Sequence, residues 1–296
     1  MISNDAALRI KAAHLGVAAA EHRMIESTDG DGTAAGWGTL EASYESIDCL
    51  YAAGAIAVDA VEPEHPYETN EFAVLRSGSQ SALTRVVDDE FVLLPSHTPE
   101  AWGLRPRSKE QRFALELLLD PEIAVVALDG RAGTGKTILA IAAGLEQVVE
   151  HQRYERLAVY RPLVPVGRAD VGFLPGGLDE KLDPWMAASH DAVVALTDRG
   201  CSQAARDLVD ELTPRGQLSL ESVTFLRGRS LQQQFVVIDE AQNLEPTTLR
   251  TILTRVGDGT KVIFTGDTSQ IDAPYLGESN NALTVLTSAF AGETCF

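Results

Sequence analysis

Residues 124–149 place three things in immediate succession: an apolar run, a glycine-rich turn reading "DGRAGTGKT", and the apolar helical stretch "ILAIAAGLEQVV". A buried strand that runs through a tight turn straight into a helix is the opening unit of a parallel sheet, because parallel strands need a helical crossover between them. The octet Gly130, Arg131, Ala132, Gly133, Thr134, Gly135, Lys136 and Thr137 fits G-x-x-x-x-G-K-[ST]. Each residue type has a physical reason. Glycines let backbone N–H groups curl inward around an anion, and the following helix aims its positive end at the same point. Lysine reaches the β/γ oxygens of a nucleoside triphosphate, and the threonine hydroxyl ligates Mg²⁺. The octet is therefore expected to hold ATP.

The rest of the chain supports that architecture. From residue 108 onward, buried strands are predicted at 123–128, 157–160, 222–226, 234–238 and 261–265. Helices are predicted at 135–150, 181–197, 202–212, 246–254 and 279–290. Ser108 with Gln111 forms a capping box opening the helix "KEQRFALELLLD". Earlier segments differ. An amphipathic helix is expected over 4–22, a Gly/Asp/Thr-rich linker over 26–38, and short strands with one helix (44–53) between 39 and 95. Asp88-Asp89-Glu90 marks a hairpin turn, and residues 96–107 a second linker. The fold class expected is α/β: a P-loop NTPase with a parallel sheet flanked by helices, preceded by a small β-rich segment.

Further residues join the phosphate loop. In "FVVIDEAQ" (235–242), Asp239 ends a buried strand, where ligands of open α/β sheets bind. Asp239 is expected to hold, through water, the Mg²⁺ that Thr137 ligates, and Glu240 to act as general base on the attacking water. "KVIFTGDTSQID" (261–272) repeats the strand-then-turn pattern, and its Gln270 either senses the γ-phosphate or merely decorates a polar turn. Gln111 either reads the adenine edge or only caps its helix. Arg161, Arg168, Arg227, Arg229 and Arg255 suit phosphoryl or phosphodiester contacts, with surface salt bridging as the competing role. Arg255 follows the helix "TLRTILT". It is expected near the Gly266-Asp267 turn and is assigned a catalytic role in a neighbouring subunit's site.

Composition narrows the partners. Formal charge is −19, split as −12 over residues 1–100 and −7 over 101–296. Bulk charge thus cannot draw the chain onto nucleic acid, so any RNA contact must come from local arginine clusters. No run of 18 apolar residues exists, and no membrane partner is expected. "MISNDAALRIKAAHLG" lacks the pattern of a secretory signal. Cys49, Cys201 and Cys295 suit neither a disulfide framework nor a zinc site, so a cytoplasmic location is expected.

Six blocks, "GRAGTGKT", "RPLVPVGRADVGFLPGGLDEKLDPW", "FLRGR", "VVIDEAQN", "LTRVG" and "FTGDTSQID", together resemble the PhoH-like family of ATPases, over about residues 105–285. That family is similar to the first motor domain of superfamily 1 helicases, so the resemblance implies a RecA-like core for the P-loop NTPase fold. The resemblance implies Mg²⁺-dependent ATP hydrolysis and RNA-directed work. "NDAALRIKAAHLG" resembles the end of the PIN nuclease domain of PIN-fused relatives. The carboxylates of such a nuclease would lie upstream, so nuclease activity is not carried over. The family usually continues past "AFAG" with a further strand, whereas this chain ends at "ETCF", so both ends look truncated. The domain division expected is 1–25 as a PIN-like remnant, 26–104 as linker and β-rich accessory segment, and 105–296 as the ATPase domain. One phosphate loop per chain means that translocation would need a homo-oligomeric ring. An ATP-binding switch with little turnover is the alternative. A small-molecule kinase is disfavoured by Glu240 beside Asp239, which points to water as the acceptor.

Overall fold

The computed structural model describes residues 36–63, 67–163, 211–226 and 228–296. The helices expected at 4–22 and 181–197, most of that at 202–212, and Arg168 and Arg227 lie outside the described residues.

The first sheet comprises β1 (Trp37–Glu41), β2 (Ala55–Ala57), β3 (Phe72–Ser77), β4 (Gln80–Val87) and β5 (Glu90–Leu93), in the order β1-β3-β4-β5-β2. Helix α1 (Tyr44–Ala53) lies between β1 and β2, with Ser43 capping it through the Ser46 N–H. The β4–β5 hairpin turns on Asp88 and Asp89, both at positive φ (50° and 61°). Two left-handed central residues suit a tight hairpin, and aspartate tolerates that conformation better than most side chains.

The second sheet is wholly parallel among its described strands. It contains β6 (Val125–Asp129), β7 (Arg156–Arg161), β8 (Leu218–Ser222), β9 (Gln234–Ile238) and β10 (Lys261–Gly266), ordered β6-β10-β9-β7-β8. The expected α/β architecture is therefore present. Side chains alternate across the sheet. Val126, Val159, Phe235, Val237 and Ile263 face one core layer with α3 (Lys136–Leu145). Ala158, Tyr160, Val236, Ile238, Val262 and Phe264 face the other, with α4 (Pro246–Leu253) and α5 (Ala282–Phe290). One strand was expected at 222–226, but β8 ends at Ser222 and Val223–Leu226 form a 3-10 turn. "LSLESVTFL" holds two short alternating runs, Leu218/Leu220 and Val223/Phe225, that are out of phase across Glu221-Ser222, so periodicity could not say which half pairs with β7.

Helix α2 (Lys109–Leu119) joins the two sheets. Phe113 stacks on Phe72 of the first sheet, with ring centroids 4.6 Å apart, while Leu115 and Leu118 are buried in the core of the second. Arg85 of β4 pairs with Asp120 just past the helix end at 2.7 Å. Lys261, the first residue of β10, is almost wholly buried and donates to the carbonyls of Leu117 and Asp120, both at 2.6 Å. It thereby satisfies carbonyls that the end of α2 leaves without intrahelical partners. Burial pushes the Lys261 ammonium down to about 7, aided by Arg85 and Arg153 and opposed by Asp120.

That depressed value has a sign. Between pH 7 and the unfolded lysine value of about 10.4, the unfolded chain binds more protons than the folded one. This group's contribution to stability therefore grows as pH rises through that window and is lost as pH falls towards 7. Compared with Lys261→Met, the wild-type urea midpoint should gain as pH is raised from 7 to 10. A midpoint difference that does not vary with pH would contradict a buried ammonium.

Candidate functional site

Because the strands are parallel, β6, β7, β9 and β10 all end on one edge of the sheet, and each delivers polar groups into one cleft of about 310 Å³. The loop after β6 forms its floor. Gly133 and Gly135 have φ of 79° and 92°, which only glycine adopts without strain. Gly135 is also the N-cap of α3 and brings no side-chain acceptor, so the helix presents its first N–H groups to the cleft. Thr134 closes the turn by donating to the Arg131 carbonyl at 2.7 Å. Lys136 folds back on the loop and donates to the carbonyls of Gly130 and Arg131. Burial lowers its pKa, against the raising effect of Asp267, Asp129, Glu240 and Asp239.

β9 brings the acids. Asp239 is buried, and its Oδ1 accepts hydroxyl hydrogen bonds from Thr137 and Thr265, each at 2.7 Å. Glu240 follows in a left-handed conformation (φ 55°, ψ 40°), a strained state for a non-glycine residue of the kind that collects at functional sites. Its Oε1 accepts from Arg161 at 3.2 Å and its Oε2 from Gln242 at 2.7 Å. The Asp239–Thr137 pair suits Mg²⁺: a carboxylate and a hydroxyl are hard oxygen donors, and this ion commonly takes one or two protein ligands with the rest from phosphate and water.

Two residues were underrated in the sequence. The sequence shows Asp267 only as part of a turn, yet its Oδ2 accepts the Ala132 N–H at 2.7 Å and its Oδ1 accepts the Ser269 N–H and hydroxyl at 3.0 and 2.5 Å. Desolvation raises its pKa, but these bonds and nearby Lys136 outweigh it and hold the carboxyl below its usual range. Asp267 therefore ties β10 to the phosphate loop. Gln242 links three elements: its amide donates to Glu240 and to the Gln270 carbonyl (3.0 Å), and its oxygen accepts the Asp267 N–H (3.2 Å). Gly266 leaves the room, since a Cβ there would lie 2.4 Å from Oε1 of Gln242. The only sequence signal for Gln242 was its place three residues beyond Asp239.

Gln270 lines the cleft. Gln111 borders the phosphate loop, and both ends of its amide engage backbone: Nε2 donates to the Thr134 carbonyl at 3.0 Å, and Oε1 accepts the Arg107 N–H at 2.7 Å. Only half of the expected capping box forms, through Ser108 and the Gln111 N–H. Arg229 is paired with Glu221 at 2.7 Å, on the surface. Arg255 is corrected. It was expected beside the Gly266-Asp267 turn, but it sits just past α4, exposed, with its carbonyl bonded to Leu231 ahead of β9. A crossover helix returns the chain to the edge where strands begin, so Arg255 lies a strand length, roughly 20 Å, from the cleft.

A family model described as "PhoH-like protein" matches residues 103–295. The chain belongs to the PhoH-like protein family. Protein PhoH2 of Bacillus subtilis is 38% identical over 99% of this chain and 66% of its own length. Protein PhoH2 of Thermobispora bispora is 39% identical over 97% of this chain and 63% of its own. This PhoH-like chain thus spans about two thirds of the length of those relatives. A PhoH-like protein of Synechocystis is 38% identical over 51% of the chain. Among solved structures, an arterivirus nonstructural protein 10 (helicase) aligns with 70% of this chain and 42% of its own at a TM-score of 0.28 and 14% identity. Family and sheet agree on a nucleotide-binding P-loop NTPase fold. Among the described residues, no helix is long and apolar enough to cross a membrane.

Gln242→Leu removes all three bonds and leaves the buried Asp267 N–H without its partner. It should lower stability by about 1–3 kcal/mol, measured by urea unfolding. An unchanged midpoint would show that Gln242 does not hold these elements together.

Proposed function

We propose that this PhoH-like chain binds ATP with Mg²⁺ and hydrolyses it. The observation that carries the reading is Glu240 beside Asp239 at the end of β9, across the cleft from the loop that bears Lys136. Lys136 would exchange its loop carbonyls for β/γ-phosphate oxygens. Thr137 and Asp239 would hold the metal, which when bound offsets phosphate charge and polarises the γ-phosphoryl group. Glu240 would orient a water and take its proton as the water oxygen bonds to the γ-phosphorus and the bond to the bridging oxygen breaks, releasing ADP and phosphate. Gln270 at the cleft wall is the proposed sensor of the γ-phosphate.

The finer reading is a motor that remodels or unwinds RNA as a homo-oligomeric ring in the cytoplasm. It is supported by the single phosphate loop per chain and by arginines away from the cleft. Arg255 can act only on a neighbour's site, in a head-to-tail arrangement. A second reading, an ATP-binding switch with little turnover, is favoured by one observation: Arg161 and Gln242 hold both oxygens of Glu240.

Phosphate release with and without single-stranded RNA tests these together. Lys136→Ala should abolish nucleotide binding or turnover. Glu240→Gln should keep binding and lose turnover by about 10²–10⁴-fold. Full turnover in Lys136→Ala would remove the ATPase reading, and binding lost together with turnover in Glu240→Gln would make Glu240 structural.

A further inference from the structure

Arg161 ends β7, and its guanidinium enters the cleft beside Glu240 and Asp239, at 3.2 Å from Oε1 of the first and 3.9 Å from Oδ2 of the second. Pro162 follows it, and a residue before proline is confined to extended backbone, so a rigid strand end delivers the side chain. The side chain is 22% exposed. Lys136 and Arg161 are the two cations among the described residues lining the cleft. They approach from different sides: Lys136 from the phosphate loop, Arg161 from the carboxylate that would orient the water. Arg255 is on the far edge of the sheet and cannot serve its own chain.

We infer that Arg161 is a catalytic residue that contacts the γ-phosphoryl group within the same chain, exchanging its ion pair with Glu240 for that contact when a nucleoside triphosphate binds. The inference rests on the nucleotide reading above and deepens it. A triphosphate brings negative charge to the guanidinium, whose planar set of N–H donors is suited to phosphate oxygens. As Arg161 turns to the phosphoryl group, one oxygen of Glu240 is released to the water while Gln242 keeps the other. A diphosphate lacks the group that draws Arg161 away, so Glu240 stays paired. The base is thus engaged only when the γ-phosphate is present.

The discriminating measurement is the difference between two nucleotides. Calorimetric titrations use Mg²⁺ with ADP, and Mg²⁺ with the β,γ-imido analogue of ATP, on wild-type, Arg161→Ala and Arg161→Lys chains. Arg161→Ala should weaken the analogue by about tenfold or more and ADP by less than about twofold, while turnover falls about 100-fold or more, the scale of one lost transition-state contact. Arg161→Lys, which keeps a charge beside Glu240, should recover part of the analogue's affinity. Equal losses for both nucleotides in Arg161→Ala and Arg161→Lys would overturn the inference and make Arg161 a structural partner of Glu240. Unchanged analogue affinity with faster turnover would overturn it too, leaving Arg161 only as a restraint on the base. A wild-type chain that binds neither nucleotide would overturn the nucleotide reading itself, a result separate from any loss seen only in the variants.

Discussion

One oxygen of Asp239 accepts hydrogen bonds from Thr137 at the start of α3 and from Thr265 near the end of β10. Three elements that lie far apart in the chain meet at that carboxylate, and the cleft depends on their meeting. The bonds also decide what the residues can do. A carboxylate this buried would be costly without partners, and two hydroxyl donors satisfy it while keeping hard oxygen donors of the kind that would suit a divalent cation. Around this point, Asp267 fastens the phosphate loop to β10, and Gln242 fastens Glu240 to the same turn.

The opposite edge of the sheet is built on another principle. There Lys261 closes the end of α2, Arg85 pairs with Asp120, and Asn70 accepts from Arg85 while donating to the carbonyls of Thr294 and Phe296. Cys295 in turn accepts the N–H groups of Ala124 and Val125 at the start of β6. This network joins the first sheet, α2 and the last residues to the base of the second sheet. A parallel sheet separates the two tasks: strand starts hold the structure together, and strand ends, with the dipoles of the following helices, carry the polar chemistry.

Charge explains why position matters more than composition. A chain of net charge −19 repels anions at long range. Its cleft adds Asp239, Glu240 and Asp267. A triphosphate can settle there only through local positive groups: the N–H groups of the loop and of α3, Lys136, Arg161, and a divalent cation. The same balance makes a contact between Arg161 and Glu240 the natural resting state and a phosphoryl group a natural competitor for it.

Local patterns were enough for much of this. The phosphate loop, the β9 and β10 strands and their terminal acids are contiguous stretches, so the periodicity of "FVVID" and "KVIFTG" and the glycines of "GRAGTGKT" showed strand, turn and fold class in the sequence itself. Pairing was not legible in that way. "LSLESVTFL" holds two alternating runs, either of which could be the strand, and only pairing with β7 selects the first. Arg255 is expected near the cleft because it follows the helix "TLRTILT", whose polar end is expected at the Gly266-Asp267 turn, while the crossover sends that end to the other edge. Arg161, some 80 residues from Glu240, meets it because β7 and β9 are neighbours in the sheet. Asp267 and Gln242 were hidden for the same reason: their importance is a set of hydrogen bonds to residues 25 to 135 positions away. The sequence by itself determined which segments could be strands, helices and phosphate-binding turns, since those depend on neighbours along the chain. Only the tertiary structure decided which side chains share the cleft, because strand order sets that, and strand order is fixed by burial across the whole sheet.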